Sequence, residues 1–277
     1  MSTPNWLALC DALRIDVQRA LADLETRAER ERVVGAGAGG DDTAAIDAAA
    51  EEAVVSRLGS LAAGGHSFVL VSEELGERRF GTADPSWWIV VDPVDGSVNA
   101  KRNVGFYCLS IAIADGPTLA DVAFGYVTDL ASGETFVAAR GQGATRDGEQ
   151  LGGELPKNLL EVVAFEATSP ALLAAACAAL PAEVERVRVL GSLALTICQV
   201  AAGRLDGLLT LKESRSVDHA AAQLIAREAG CHVEVLGAGG EGFAAPLDVA
   251  PRGHIVVGRD PAACARLAAA LSPTMPA

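Results

Sequence analysis

Apolar residues recur at Trp6, Leu9, Leu13, Val17, Ala20, Leu21 and Leu24, spacings of three and four that put one stripe along a helix. The pattern predicts a first helix continuing toward Arg32. After the run Gly35-Ala36-Gly37-Ala38-Gly39-Gly40, helical spacing returns from Thr43 through Leu58, with Asp41 or Asp42 available as its cap. The glycine run follows a charged helix instead of a strand, so it reads as a flexible linker and not as a dinucleotide loop. From Ser67 the pattern shortens to runs rich in β-branched and aromatic residues: Phe68 to Val71, Trp87 to Val91, Phe106 to Ala114, Leu119 to Val127 and Glu134 to Ala139. Their close spacing predicts a largely antiparallel sheet flanked by the two N-terminal helices.

A turn-rich stretch from Gly141 to Lys157 predicts a boundary, with an N-terminal α+β domain over residues 1–150 and a C-terminal α/β domain over 151–277. Beyond it strands and helices alternate. Strands are expected at 160–165, 184–190, 205–210, 231–236 and 254–257, and helices at 170–180, 193–202, 217–229 and 261–271. No long repeat interrupts this order, and the tail from Ser272 is expected to fray.

Of the 277 residues 50% are hydrophobic and 21% charged, which excludes a disordered chain and a disulfide miniature and fits one large or two small globular domains. Acidic residues outnumber basic ones 36 to 22, a net charge of −14 that argues against nucleic acid or an anionic membrane as partner. The same charge opposes a phosphorylated small molecule unless clustered carboxylates first gather cations. Cys10, Cys108, Cys177, Cys198, Cys231 and Cys264 are scattered without a C-x-x-C pair and read as reduced, mostly buried thiols. Met1 to Cys10 lacks a basic segment followed by an apolar run, and no uninterrupted apolar stretch of about 18 residues occurs. The expectation is a soluble, cytoplasmic protein.

The candidate chemistry lies in Trp87-Trp88-Ile89-Val90-Val91-Asp92-Pro93-Val94-Asp95-Gly96-Ser97, a buried strand ending in two carboxylates. Pro93 ends the ladder and Gly96 allows a tight turn, so Asp92 and Asp95 can converge on one cation, with the Val94 carbonyl as a third oxygen. An all-oxygen set suits a hard ion such as Mg²⁺. Free amides at Gly96 and Ser97 can face an anion if a short helix begins there. Glu73 and Glu74 follow another apolar strand, Asp218 opens a helix and Asp47 lies on the second helix. Carboxylates about 4 Å apart repel by roughly 4 kcal/mol per pair at an effective dielectric of 20, so their convergence calls for cations or protons.

Asp92-Pro93-Val94-Asp95-Gly96-Ser97 resembles the D-P-[I/L/V]-D-G-[T/S] signature of the inositol monophosphatase superfamily of metal-dependent, lithium-sensitive phosphatases. The stretch from Ser216 to Gly230, with Asp218, Ala220-Ala221 and Glu228-Ala229-Gly230, is similar to its second signature, and the order of Asp47, Glu73, Asp92, Asp95 and Asp218 matches. Val187 to Ser192 and Ala201 to Gly207 resemble the archaeal-type enzymes that hydrolyse inositol phosphate and fructose 1,6-bisphosphate. The resemblance implies a layered α-β-α-β-α sugar-phosphatase fold, a small phosphate ester as substrate, two or three Mg²⁺ ions and, by analogy, a homodimer.

It also implies roles. Glu73, Asp92 and the Val94 carbonyl would hold a first Mg²⁺, Asp92, Asp95 and Asp218 a second, and Glu73 a weaker third. Ser97 and Asp47 would orient or deprotonate the attacking water as a hydroxyl and carboxylate pair. Amides near Gly96, Ser97, Gly191 and Ser192 would hold phosphate, and Arg215 could meet a second phosphate. Lys101, Arg102 and Lys212 read as solvated charges. Departures from the pattern bear on substrate choice: Thr210 stands where a carboxylate usually accepts sugar hydroxyls, and Leu193 is bulkier than the usual Ala.

Other readings fit less well. A haloacid-dehalogenase phosphatase needs D-x-D with a nucleophilic first Asp, whereas the spacing here is D-x-x-D. An EF-hand lacks its alternating oxygens and its Glu at position twelve. His66, His219, His232 and His254 lack H-E-x-x-H spacing and read as surface or capping residues, and no G-x-S-x-G elbow occurs. A non-catalytic family member acting as an interaction scaffold is the alternative of another class, and it would not require all five acidic positions together with the Ser97 hydroxyl.

Overall fold

The computed structural model describes residues 3–38, 42–152, 160–182, 184–237 and 240–271. Asn5 accepts the Ala8 amide at 3.1 Å and starts helix α1 (Trp6–Ala22), which buries Cys10, Leu13, Val17 and Leu21 along the expected stripe. The helix does not continue to Arg32. Thr26 and Glu29 form a capping box, with the Thr26 amide donating to Glu29 at 2.8 Å, and open a separate helix α2 (Arg27–Glu31). The glycine-rich linker is also corrected, because β1 (Val33–Ala36) pairs antiparallel with β2 (Asp42–Ala44). Gly39, Gly40 and the candidate cap Asp41 lie outside the described residues. Asp42 belongs to β2, so α3 (Ala45–Ala63) begins after Ala44 with no side-chain cap.

The first sheet contains β3 (Phe68–Ser72), β4 (Gly76–Phe80), β5 (Trp87–Asp95), β6 (Cys108–Ala114), β7 (Val122–Asp129), β8 (Thr135–Ala139), β9 (Ala144–Arg146) and β10 (Glu149–Gln150), with the short helix α4 (Ser97–Lys101) after β5. Its order is β10-β9-β8-β7-β6-β5-β3-β4, antiparallel except where β3 and β5 run side by side. Period-two alternation divides each strand between two cores: Leu70, Ile89, Val91 and Ile111 face α1 and α3, while Val69, Val71, Val90 and Ala112 face the opposite way. Leu119–Asp121, expected as strand, is a 3₁₀ turn in which Asp121 accepts from the Thr118 amide and hydroxyl at 2.9 and 2.6 Å.

The turn-rich stretch supplies a hairpin, with Asp147 and Gly148 both at positive φ between β9 and β10. Residues 153–159, the end of that stretch to Lys157 among them, lie outside the described residues, as does the tail 272–277. After it come β11 (Val162–Glu166), α5 (Pro170–Ala179), β12 (Arg186–Arg188), α6 (Leu193–Ala201), β13 (Gly207–Thr210), β14 (Ser214–Arg215), α7 (Ser216–Glu228), β15 (His232–Leu236), β16 (Pro251–Gly258) and α8 (Pro261–Ala268). The second sheet runs β12-β11-β13-β16-β14, with β15 also on β16. Its strand expected over 184–190 shrinks to the three residues of β12.

The layers follow from which residues share a core. Buried residues of α6 and α7 pack with Val69 and Val90 of the first sheet and with Leu208, Ile255 and Val257 of the second. Ala176 of α5 and Cys264 and Leu267 of α8 cover the far face of the second sheet, beside Val163 and Phe165. The result is the expected α-β-α-β-α stack. All six cysteines are free, and only Cys177 is exposed. Among the described residues no helix is long and apolar enough to cross a membrane.

Candidate active site

Ser72 pairs with Val91 in the parallel β3–β5 ladder, so the residues following each strand emerge at one edge of the sheet. Glu73 follows β3 there, and Asp92 to Asp95 close β5. Pro93 has no N–H for the ladder, and the β5–β6 register shifts between Asp92 and Asp95. This irregularity lets two carboxylates of one strand end take different partners. Gly96 then turns the chain at φ 93°, where an added Cβ would lie 3.0 Å from the Gly191 carbonyl oxygen and 3.2 Å from that of Phe106. Only glycine meets both demands.

The third carboxylate comes from the first turn of α7, where the Arg215 amide donates to Asp218 at 2.9 Å. Carboxylate oxygens of Glu73, Asp92 and Asp218 lie within 4.8 Å of one another. The Arg215 guanidinium stands over them, its Nη2 donating to Glu73 at 2.6 Å and to Asp218 at 2.8 Å. Burial pushes Asp92 well above the usual carboxylate range, and the charges of Glu73, Asp95 and Asp218 push it further. Glu73 is raised too, by burial first, with Arg215 opposing and Asp218 reinforcing the shift. These groups line a cleft of about 390 Å³ together with Gly96, Ser97 and Leu193.

The structure therefore brings oxygens of Glu73, Asp92 and Asp218 together, while Asp95 lines the same cleft and adds its charge to Asp92. Asp95 faces the start of α6, accepting from Ser192 Oγ at 2.6 Å, from the Leu193 amide at 3.2 Å and from the Ala194 amide at 2.7 Å. The Val94 carbonyl accepts from Ser97 Oγ at 3.0 Å, and the Val94 amide donates to Asp92 at 3.1 Å. Asp47 is held by Lys101 at 2.9 Å, so Lys101 is not a solvated charge and Ser97 and Asp47 each have another partner. Asp47 Oδ1 is buried with no hydrogen-bond partner.

Four further expectations change. Arg215 grips the cluster itself instead of projecting to a second phosphate. The Gly191 amide, although Gly191 lines the cleft, donates to Glu166 at 3.0 Å and is not free for phosphate, and the Ser192 hydroxyl donates to Asp95. Thr210 is fully buried and its hydroxyl accepts the Ile255 amide at 2.9 Å, because its β13 position turns inward. His219, expected at the surface, is buried beside Ser214, and burial pushes its pKa down to about 4.

Three residues were not singled out in the sequence. Glu166 accepts from the turn before α6, Asn99 Nδ2 donates to the carbonyls of Leu190 and Phe106 at 2.7 and 2.8 Å, and Glu51 accepts from Ser72 beneath Glu73. Glu166 carried a usable signal: Val162-Val163-Ala164-Phe165-Glu166 is an apolar strand ending in a carboxylate, as Val90-Val91-Asp92 is.

Comparison with known proteins bears directly on this arrangement. A fructose-1,6-bisphosphatase/inositol-1-monophosphatase of Methanothermobacter thermautotrophicus is 33% identical over 237 residues, covering 81% of this chain and 82% of that protein. A bifunctional NADP phosphatase/NAD kinase of Methanococcus maripaludis is 30% identical over 237 residues, 78% of this chain but 40% of that longer protein. The crystal structure of an inositol monophosphatase–fructose 1,6-bisphosphatase superposes with a TM-score of 0.79 at 24% identity, covering 97% of this chain and 99% of that one, a likeness of fold. The sequence profile of the inositol monophosphatase family matches residues 9–274, and with the two strand ends and the helix start that carry its acidic positions, the chain belongs to that family of phosphatases.

Proposed function

We propose that this phosphatase is a Mg²⁺-dependent phosphomonoesterase of small polyol or sugar phosphates, inositol 1-phosphate and fructose 1,6-bisphosphate among them, working as a homodimer. The reading rests chiefly on the oxygens of Glu73, Asp92 and Asp218 lying within 4.8 Å of one another. The donors fit the ion: they are carboxylate oxygens only, and the charges of Glu73 and Asp218 raise Asp92 while that of Asp218 raises Glu73. Glu73, Asp92 and Asp218 would hold a first Mg²⁺, with the Val94 carbonyl and Asp95 contributing to a set of two or three ions. When bound, Mg²⁺ supplies positive charge against the phosphoryl oxygens and makes water more acidic.

The chain's own groups do the rest. The amides of Gly96, the cap of α4, and of Ser97, its first residue, precede the first carbonyl-bonded amide at Asn99 and are proposed to receive phosphate. Ser97 Oγ is proposed to orient the attacking water and Asp47 Oδ1 to accept its proton, while Lys101 keeps the Asp47 carboxylate in place. Attack runs in line with the departing alkoxide, without a covalent phosphoenzyme. Arg215 would meet an anionic group of the substrate by exchanging one of its two carboxylate partners.

Phosphate release from inositol 1-phosphate, fructose 1,6-bisphosphate and NADP, each with Mg²⁺ and with chelator, tests the reading. NADP is included because a relative is named for that activity. Mg²⁺-dependent release from either of the first two is expected. Release from NADP alone would move the substrate class to nucleotides, and no metal-dependent release from any of the three would overturn the proposal.

A further inference from the structure

Glu166 ends β11 inside the second sheet, 3% exposed, and its charge is met by donors alone. Its Oε1 accepts from the Leu190 amide at 2.9 Å and the Gly191 amide at 3.1 Å and lies 2.9 Å from the Thr196 hydroxyl, while Oε2 accepts the Gly191 amide at 3.0 Å. Burying a carboxylate costs several kcal/mol unless such donors replace its water. Among the described residues no Lys or Arg forms an ion pair with it, so these groups carry that load.

The same turn is gripped from the other half of the molecule. Asn99 Nδ2 donates to the Leu190 carbonyl at 2.7 Å, and Gly191 at φ 89° leaves that side chain room, since a Cβ would come within 2.9 Å of Asn99 Nδ2. The next three residues, Ser192, Leu193 and Ala194, hold Asp95. Two carboxylates thus hold consecutive residues of one turn, Glu166 at 190–191 and Asp95 at 192–194, so a shift of the turn moves both.

We infer that Glu166 is a positioning residue for Asp95: it fixes the 190–191 turn and the first turn of α6, and through them the Asp95 carboxylate. The role of Asp95 toward Mg²⁺ rests on the proposed function, but the coupling of Glu166 to Asp95 does not. Glu166 also lines the cleft, so a direct contact with substrate is the rival role.

Glu166→Gln separates them. It keeps the shape, removes the charge and turns an NH₂ toward the Gly191 amide. In chelated protein, amide exchange at Leu193 and Ala194 should accelerate, and the Mg²⁺ dissociation constant measured by calorimetry should rise by up to about tenfold, the smaller effect of losing a direct partner of a metal ligand, from which Glu166 is one link removed. Turnover should return toward that of the parent protein at saturating Mg²⁺, with KM for substrate little changed. Glu166→Asp, which keeps the charge but withdraws it from the turn by one methylene, should move exchange in the same direction by less, and it serves if Glu166→Gln does not fold. Unchanged exchange at Leu193 and Ala194 in the folded variants overturns the inference. So does a raised KM with Mg²⁺ affinity and exchange both unchanged, which would place Glu166 on the substrate. If the parent protein binds no Mg²⁺, the proposed function fails, and exchange in the metal-free protein still decides the coupling.

Discussion

Glu73, Asp92 and Asp218 on the one hand, and Asp95 and Glu166 on the other, line one cleft and are held there by different neighbours. In the first group carboxylate oxygens face one another within 4.8 Å, and Arg215 answers Glu73 and Asp218. Unit charges at that separation repel by about 3–4 kcal/mol at an effective dielectric of 20. In the second group the carboxylates are surrounded by amides and hydroxyls from the turn and helix start at 190–196. Crowded carboxylates are poised for a cation, whereas amide-saturated ones brace the backbone. Residue type alone does not distinguish the two, and the donors do.

The largest effect that would break this contrast is expected at Asp92. Asp92→Asn should lower turnover by on the order of 10³-fold or more, since the charge is needed in the reaction, yet leave the metal-free fold as stable as before or more stable, because a repelled buried charge is gone. Turnover with Mg²⁺ and melting with chelator check the two halves, and undiminished Mg²⁺-dependent turnover would remove Asp92 from the chemistry. Asp95→Asn should also lose activity but move stability the other way, by about 1–3 kcal/mol in urea, because one of the two oxygens that accept from Ser192, Leu193 and Ala194 becomes an NH₂ that cannot accept. If both variants shift stability in the same direction, the two groups are not held by different means.

A smaller, graded effect is expected with pH. Burial raises Asp92 well above its ordinary range, and raises Asp95 to about 7 even though Ser192 and the α6 amides pull it down. A carboxyl raised on folding favours the folded state in its protonated form. That contribution is complete below the ordinary carboxylate value of about 4 and is lost as pH climbs through about 7. The Tm of chelated protein should therefore fall across this window, and Asp92→Asn should flatten the fall. Mg²⁺ at neutral pH should raise Tm by mass action. A chelated Tm that climbs over the same window would contradict the upward shift of both carboxyls.

What was legible in the sequence follows the same division. The strand ending in Asp92 and the helix opening at Asp218 are local patterns, and both carboxylates reach the cluster. The five layers were expected from the family resemblance, whereas β3, β5 and β6 were legible as strands because each is a continuous apolar, β-rich run buried on both faces. Short, polar edge elements were not: β4, with exposed Glu77, Arg78 and Arg79, has no apolar pattern to read. The break after α1 was written in Thr26-Arg27-Ala28-Glu29, a capping-box spacing outweighed by the apolar stripe around it. The direction of Asp95, the grip of Arg215 and the burial of Thr210 depend on partners about 100, 142 and 45 residues away, and no local pattern encodes those.

Thr210 provides the smallest and most discriminating expectation, because it belongs to neither group of acids. The family pattern would have it take the place of a carboxylate that greets sugar hydroxyls, but its Oγ1 accepts the Ile255 amide inside the second sheet. Thr210→Val keeps the shape and leaves that amide without its partner, so stability should fall by about 1–2 kcal/mol in urea. KM for inositol 1-phosphate should stay within about twofold of the parent value, since no atom facing the cleft has changed. A large rise in KM at unchanged stability would put the hydroxyl in the cleft after all. The inward register of β13 would then be wrong at its last residue, and polyol selectivity would rest on a side chain that the fold, as described, keeps out of reach.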